Sequence, residues 1–304
     1  MKYLIIGTGG IGGAVGGFLA YKGNDVTFIA RGKTLEVLRK YGLKIKSGIW
    51  GNLNLQNINA FSGEEYSEKA DIIFVCVKDY SLDNVIPYIK KASHKNTIVI
   101  PLLNGYGIGE RISKKLDTGI VVDGCVYISA FIEAPGSIIQ LGSLFKLVFG
   151  TRKEVNWDSS VLNELKNTLI DSGIDAILSN NIETEIFKKF SVVSCCAACG
   201  AYYDITAGQM QSEEKYKNTY RDLSLEMVEI AEKLNFKFDS DLAETNLKFL
   251  HFMDKDATSS LHKDIKAGNK SEIDSLIFNV VKLADSLGIE VPVHMMIAEH
   301  FGYK

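Results

Sequence analysis

The sequence lacks several features that would assign it to a special class of protein. It has 5 cysteines and 4 prolines among 304 residues, no long run of one charge sign and no low-complexity tract. Five clustered cysteines cannot build a disulfide framework, so we expect free thiols and a cytoplasmic protein. With 34 basic and 37 acidic residues the net charge is −3. That balance gives no electrostatic basis for binding nucleic acid or an anionic membrane.

The composition is typical of a globular protein with one large or two ordinary domains, since 46% of the residues are hydrophobic and 23% are charged. Residues 3–21 are uncharged and could form a signal peptide or a membrane helix. The seven glycines within them are too many for a membrane span. We therefore predict a short strand at residues 3–6 that leads into a glycine-rich turn.

The first half of the chain alternates short apolar runs with helical patterns, which is typical of βαβ units and a parallel sheet. The predicted strands are residues 3–6, 26–29, 72–77, 97–100 and 120–127, with helices at 10–22 and 33–41. Residues 43–46 and 53–60 predict an accessory hairpin, and residues 137–150 predict short antiparallel strands.

Helical periods dominate after about residue 180. The predicted helices are residues 182–198, 212–234, 239–252, 271–287 and a last one from about 292. No proline-rich or serine-rich linker marks the change. We predict an α/β fold in which an N-terminal Rossmann dinucleotide-binding domain (1–180) precedes an all-helical C-terminal domain (181–304), with a shared cleft.

Residues 7–12 match the pattern G-x-G-x-x-G, and a strand before them and a helix after them are what a dinucleotide-binding βαβ unit requires. The glycines allow a tight turn and close approach of the backbone to a pyrophosphate, and the helix N-terminus offers N–H groups to the anion. A turn that binds nothing is the alternative. The predicted cofactor-binding residues are Gly7, Thr8, Gly9, Gly10, Ile11 and Gly12.

Arg31 follows the second predicted strand, where a site specific for NAD would place an acidic residue. A guanidinium can pair with a 2′-phosphate, so the sequence predicts NADP (NADPH) as the cofactor. A solvated surface arginine is the alternative. The sequence shows no flavin signature.

Two further polar residues follow predicted strands. Lys78 comes after the strand at 72–77, and Asn104 comes after the strand at 97–100, followed by Gly105 and Gly107. Because strand carboxyl ends point into the ligand crevice of an open α/β sheet, we expect both to face a ligand. Either residue alone could equally be a surface or turn residue.

The second half contains a lysine at the start of a helix that turns apolar. Lys189 is either a side chain that reaches out to water or, if it faces the cleft, a desolvated proton donor. Downstream, Ser260 and Glu272 lie in a polar segment, in which Ser271 is expected to cap a helix.

Taken together, these residues resemble the ketopantoate reductase (2-dehydropantoate 2-reductase) family from the N-terminus to the final helix. The resemblance rests on the glycine motif with Arg31 after it, on Lys78, on the Leu-Leu-Asn-Gly turn, on the Phe-x-Lys-Phe helix start and on residues 259–274.

The resemblance implies a role for each matching residue. Lys189 would be the proton donor, Asn104 and Ser260 would bind substrate, and Asn104, Ala130 and Glu272 would contact the cofactor. The implied reaction is reduction of a small 2-oxo acid by NADPH, with ketopantoate reduced to pantoate in pantothenate and coenzyme A biosynthesis.

This chain departs from the family pattern at three positions. Many members carry asparagines four and eight residues after the lysine, where this chain has Val193 and Ala197, and the usual tryptophan is Phe187. We therefore expect the pocket to accept a bulkier or more apolar 2-oxo acid. A hydroxyacid or opine dehydrogenase and a non-catalytic NADP-binding regulatory protein are the alternatives.

The remaining expectations concern metals and partners. Three cysteines within about one helical turn, without a neighbouring histidine, favour buried thiols over a zinc site: Cys195, Cys196 and Cys199. We predict that the protein binds no metal, no nucleic acid and no membrane. The sequence is compatible with a homodimer.

Overall fold

The computed structural model describes residues 1–153 and 159–304. The chain forms two compact units, one made of Met1–Leu103 and Gly107–Glu183, the other of Asn104–Tyr106 and Thr184–Lys304. The predicted domain boundary after residue 180 stays a prediction. Among the described residues, no helix has the length and apolarity needed to cross a bilayer.

The first unit contains the strands. They are β1 (Lys2–Ile6), β2 (Asp25–Ile29), β3 (Leu43–Ser47), β4 (Gly51–Leu55), β5 (Asn59–Phe61), β6 (Ile72–Val75), β7 (Ile98–Pro101), β8 (Ile120–Val121), β9 (Asp123–Ala134), β10 (Ser137–Gly150) and β11 (Asp175–Leu178). Its helices are α1 (Gly10–Tyr21), α2 (Gly32–Tyr41), α3 (Leu82–Ala92), α4 (Ile108–Ser113) and α5 (Ser159–Asp171).

Within the described chain, a six-stranded parallel sheet has the order β5-β2-β1-β6-β7-β8. The apolar residues of β1 are buried, because β1 lies between the strands β2 and β6 and the faces of the sheet are covered. The chain moves outward from β1 to β2 and β5 and then resumes at β6 on the other side of β1. In such sheets ligands bind at the carboxyl ends of the strands where the order reverses.

A second sheet has the order β11-β10-β3-β4, with β9 antiparallel to β10. Helix α1 packs against both sheets, because a Cβ at Gly16 would lie 2.5 Å from the Phe28 ring of the first sheet and one at Gly17 would lie 2.2 Å from Ile45 of the second. A glycine-rich helix is required where two sheets approach it this closely.

Three strand predictions in this unit are wrong. Residues 120–127 are not one strand, because the chain leaves the first sheet after Val121 and enters the second at Asp123. Residues 137–150 form the single strand β10, which pairs with β9, β3 and β11. The predicted hairpin itself is confirmed, because β4 pairs antiparallel with β3, but residues 53–60 are not one strand: they divide into the end of β4 and the start of β5, which pairs with β2.

The second half is helical. Its elements are α6 (Ile182–Tyr203), α7 (Ala207–Ser212), α8 (Glu214–Lys233), α9 (Leu242–Phe252), α10 (Ser260–Lys266), a π-helical stretch (Asp274–Phe278) continuous with α11 (Asn279–Leu287), and α12 (Pro292–His300). Their apolar faces form a core of their own, which includes Phe187, Tyr220 and Met227. The predicted α/β fold with a parallel-sheet domain and a helical domain is confirmed.

Candidate active site

The glycine turn lies between β1 and α1, as predicted. Gly7 has φ +98°, a left-handed conformation that glycine adopts without strain. The Gly7 N–H and the Thr8 hydroxyl each donate to the carbonyl oxygen of Ile29, both at 3.2 Å. The turn is therefore tied to the carboxyl end of β2, beside the point where Arg31 follows.

The other glycines of the turn differ in what surrounds them. A Cβ at Gly12 would lie 2.1 Å from the Gly7 carbonyl oxygen, and one at Gly10 would lie 2.4 Å from the carbonyl oxygen of Ala130. Gly9 has open space, with nothing within 4 Å of such an atom. The first-turn N–H groups of a helix have no partner within the helix, so the open side of the turn is suited to a pyrophosphate.

The structure places Arg31 directly before α2 and Lys78 shortly after β6. Arg31 is exposed, and no carboxylate of the described residues forms an ion pair with it. Lys78 is half-buried. Tyr88, whose hydroxyl donates to Glu64, lies close enough to Arg31 for its charge to act on the phenol: the Glu64 hydrogen bond raises the pKa of Tyr88 and Arg31 opposes that shift.

In the helical unit, Lys189 and Asn104 are in direct contact. Lys189 Nζ donates to Asn104 Oδ1 at 2.8 Å, and the lysine is only 9% exposed. The two residues are 85 positions apart in the chain. The structure therefore brings together the predicted proton donor and a predicted substrate-binding amide.

Aromatic rings hold this contact in place. The Tyr106 ring lies 5.4 Å from the Phe187 ring, edge to face, and 6.0 Å from the Phe190 ring, stacked. Phe236 packs 5.4 Å from Phe187. Because Phe187 and Phe190 flank Lys189 in sequence and Tyr106 follows Asn104 by two residues, this cluster fixes both partners. The sequence reasoning assigned no role to Tyr106, although it stands beside Asn104 in the same turn.

One and two helical turns beyond Lys189, α6 presents apolar side chains. Val193 is half-buried, and Ala197 is fully buried. Residues four and eight apart lie on one face of a helix. The face of α6 that carries Lys189 is therefore apolar over its next two turns.

Ser260 and Glu272 occupy different environments. Ser260 is exposed at the start of α10, and the structure does not bring its hydroxyl into hydrogen-bond contact with Lys189 or Asn104. Glu272 is buried, at 4% exposure, just before the helix that begins at Ile273. The expectation that Ser271 caps this helix is wrong, because Glu272 is the residue that immediately precedes it. Ser259 caps the preceding helix, α10, where its Oγ accepts from His262 N at 3.1 Å.

The clustered cysteines of α6 are buried, as predicted. Burial raises the pKa of Cys196 to about 11 and that of Cys199 to about 12, and it raises the pKa of Cys195 well above its ordinary value. These thiols are therefore protonated near neutral pH and unreactive. In the part of the chain that the structure describes, no group of three His, Cys, Asp or Glu side chains is placed to hold a metal ion.

Comparisons with known proteins cover nearly the whole chain. A family model described as ketopantoate reductase PanE/ApbA matches residues 3–154, and one described as ketopantoate reductase PanE/ApbA C terminal matches residues 181–303.

Relatives of known sequence match this chain at almost full length. The chain is 30% identical over 294 residues to the uncharacterized oxidoreductase YkpB of Bacillus subtilis. This match covers 96% of this chain and 95% of the relative. It is 27% identical over 297 residues to a 2-dehydropantoate 2-reductase of Pyrococcus horikoshii, covering 98% and 95%.

Among solved structures, a ternary structure of D-mandelate dehydrogenase with NADH and anilino(oxo)acetate matches with a TM-score of 0.89. The identity is 20%, and the match covers 98% of this chain and 96% of that chain. At that identity the likeness establishes a common fold.

Proposed function

This chain belongs to the ketopantoate reductase family, and we propose that it reduces a small 2-oxo acid to the 2-hydroxy acid with NADPH. The first candidate substrate is 2-dehydropantoate (ketopantoate), reduced to pantoate in pantothenate and coenzyme A biosynthesis, since the relative from Pyrococcus horikoshii carries that name. The observation that carries the proposal is the buried contact between Lys189 Nζ and Asn104 Oδ1.

The residues of the first unit fit a dinucleotide. Gly9 leaves open space over the N-terminus of α1 for the pyrophosphate, and exposed Arg31 is available for a 2′-phosphate. When bound, NADPH supplies the hydride that the substrate's carbonyl carbon accepts. Lys78, Ala130 and Glu272 are proposed as further contacts of the cofactor.

The helical unit supplies the proton. Lys189 Nζ donates it to the carbonyl oxygen as that oxygen becomes a hydroxyl, and water then reprotonates the amine. Asn104 accepts a hydrogen bond from Nζ, which holds the ammonium in one orientation. The hydroxyl of Ser260 is proposed to bind the substrate carboxylate.

The decisive experiment follows NADPH absorbance with a panel of 2-oxo acids, with and without added amino acids. We expect Lys189→Ala to lower kcat about 10²- to 10⁴-fold while NADPH still binds, because a positioned acid contributes that much. Lys188→Ala is the matched control, since it removes the adjacent, half-buried lysine of the same helix. Equal activity in both variants would rule out Lys189 as the acid, and NADPH binding without turnover of any acid would indicate a regulatory protein.

A second candidate substrate class is a bulkier, more apolar 2-oxo acid. The apolar face of Val193 and Ala197 favours it, and one of the structural relatives is a mandelate dehydrogenase. This second class predicts that kcat/KM for phenylglyoxylate, the 2-oxo acid corresponding to mandelate, exceeds that for ketopantoate, whereas the first candidate predicts the reverse order. Val193→Asn should shift the ratio toward ketopantoate by about tenfold, the worth of one hydrogen bond. A homodimer and a cytoplasmic location stay predictions.

A further inference from the structure

A buried histidine connects α10 to the end of α6. His262, in the first turn of α10, is 2% exposed, and its Nε2 lies 2.6 Å from Asp204 Oδ1. Lys266, one turn further along α10, places its Nζ 2.7 Å from the same oxygen. Two side chains of α10 therefore contact the same Asp204 carboxylate.

Asp204 occupies a position that normally favours glycine. It directly follows α6 with φ +54°, and the next residue, Ile205, donates its N–H to the carbonyl oxygen of Gly200 at 3.1 Å. This is the Schellman arrangement, in which the residue in left-handed conformation is usually glycine because any side chain adds strain. Aspartate is one of the few residues besides glycine that adopt this conformation, and here its carboxylate contacts both His262 and Lys266.

One tautomer of the histidine fits its surroundings. Its Nδ1 is buried, has no hydrogen-bond partner in the described residues, and faces Gly200, 3.9 Å from where a Cβ would lie. A proton on Nδ1 would leave a buried donor unpaired, at a cost. The proton is therefore on Nε2, which donates to Asp204. Hydrogen bonds from Lys266 and His262 lower the pKa of Asp204, which keeps it an acceptor.

Ser260 lies between two fixed neighbours. Ser259 caps α10 by accepting from the His262 N–H, and the His262 side chain is fixed to Asp204. The backbone on both sides of Ser260 is thus held, whereas the Ser260 hydroxyl itself is exposed and forms no hydrogen bond among the described residues. Helix α6, which carries Lys189, provides this anchor at its other end.

We propose that Asp204 and His262 are positioning residues that fix the Ser260 hydroxyl for the carboxylate of the 2-oxo acid, an inference that rests on the proposed function. Neither residue touches the reacting atoms. Their effect should therefore appear in KM for the 2-oxo acid and leave kcat and KM for NADPH nearly unchanged.

The test compares three variants. Asp204→Gly removes the carboxylate and relieves the left-handed strain, which offsets part of the cost of leaving the buried His262 N–H unpaired. Asp204→Asn keeps an acceptor and tolerates the left-handed conformation. Asn235→Gly is the matched control, because Asn235 has φ +57° after α8 in the same arrangement, with Phe236 N donating to Ala231 O at 3.0 Å.

We expect Asp204→Gly to raise KM for the 2-oxo acid about tenfold, within the range that misplacement of a binding group causes. Asp204→Asn should recover most of the wild-type KM, and Asn235→Gly should keep it. His262→Leu, which removes the donor at similar volume, should reproduce the rise. A wild-type KM in Asp204→Gly, or equal shifts in Asp204→Gly and Asn235→Gly, would overturn the proposal.

Amide hydrogen exchange of residues 260–266 separates this proposal from the proposed function, because it needs no turnover. Faster exchange in Asp204→Gly than in Asn235→Gly supports the anchor, and equal exchange rates refute it. If wild type reduces no 2-oxo acid, the proposed function falls, and the exchange result still decides whether Asp204 holds α10.

Discussion

At the scale of single residues, Arg31 is expected to determine the choice of cofactor. Its exposed guanidinium pairs with no carboxylate of the described residues, and the turn beside it is tied to the same strand end through Ile29. A charge-assisted hydrogen bond to a 2′-phosphate is worth at least one decade in affinity. We expect kcat/KM for NADPH to exceed that for NADH at least tenfold, and Arg31→Asp to erase or invert this ratio, because a carboxylate repels the phosphate.

A control separates a local contact from the overall field of the protein. Lys40→Asp changes the net charge equally but lies in the last turn of α2, about 13 Å along the helix from Arg31. It should leave the cofactor ratio within about twofold, since charges separated by more than a Debye length are screened. An unchanged ratio in Arg31→Asp would mean that Arg31 is only a solvated surface residue.

A second residue-scale prediction concerns Asp123, at the point where the chain changes sheets. Burial raises its pKa to about 6 from an ordinary value of 3.8, and Arg152 opposes the shift. Arg152 Nε lies 2.9 Å from Asp123 Oδ2, but no described residue gives that nitrogen an aligned hydrogen bond. The ion pair therefore compensates only part of the cost of burial.

The sign of the pH effect follows from the raised pKa. The folded protein holds the proton more tightly than the unfolded chain, so this contribution to stability is complete below about pH 3.8 and is lost as pH rises through 6. The loss amounts to about 3 kcal/mol. Chemical denaturation of wild type and Asp123→Asn from pH 4 to 7 should show the variant gaining most of that amount relative to wild type. A difference that does not change with pH would contradict the raised pKa.

At the scale of elements, two glycines of the turn allow its effects on thermal stability and on NADPH binding to be tested separately. A methyl group at Gly12 would collide with the Gly7 carbonyl oxygen at 2.1 Å, so Gly12→Ala should lower Tm. A methyl at Gly9 meets nothing, so Gly9→Ala should keep Tm while NADPH binding weakens tenfold or more. NADPH fluorescence titration and thermal unfolding of both variants test this. Unweakened binding in Gly9→Ala would place the pyrophosphate elsewhere.

The buried parallel strands were the most predictable elements. β1, β2, β6 and β7 were predicted to within about two residues, because strands covered on both faces are continuous apolar runs bounded by polar residues. The sheet change at Val122 was not predictable in this way. Residues 120–127 are apolar on both sides of the change, and only long-range pairing assigns β8 to β7 and β9 to β10.

Some elements and contacts carried no sequence signal strong enough to use. Helix α3, which the sequence analysis did not predict, contains Pro87 in its interior, where helices normally stop. In the site, the glycine turn is local and was recognised, whereas Asp204 and His262 are 58 residues apart and became partners only through the fold. Lys189 and Asn104 were selected together by family resemblance, since no periodicity connects residues 85 apart.

At the scale of the whole molecule, the helical unit is not continuous in sequence. Three residues, Asn104–Tyr106, group with residues 184–304 although they follow β7 of the sheet unit. Tyr106 packs on Phe187 and Phe190, and its carbonyl oxygen accepts from Asn279 Nδ2 at 3.4 Å. The helical core is therefore completed by a segment from the first half of the chain.

This arrangement predicts that residues 184–304 alone do not form a stable domain. The fragment would expose the ring faces that Tyr106 covers and would lack the amide that accepts from the largely buried Lys189. In the full chain, Tyr106→Ala should destabilise the protein by about 2–3 kcal/mol, from lost burial and ring contacts. Tyr106→Phe keeps the ring and should cost less than about 1 kcal/mol. Chemical denaturation of the 184–304 fragment, of Tyr106→Ala and of Tyr106→Phe, each compared with wild type, measures these changes in stability. Cooperative unfolding of the fragment at wild-type denaturant concentration would show that the three residues attach to a core already complete without them.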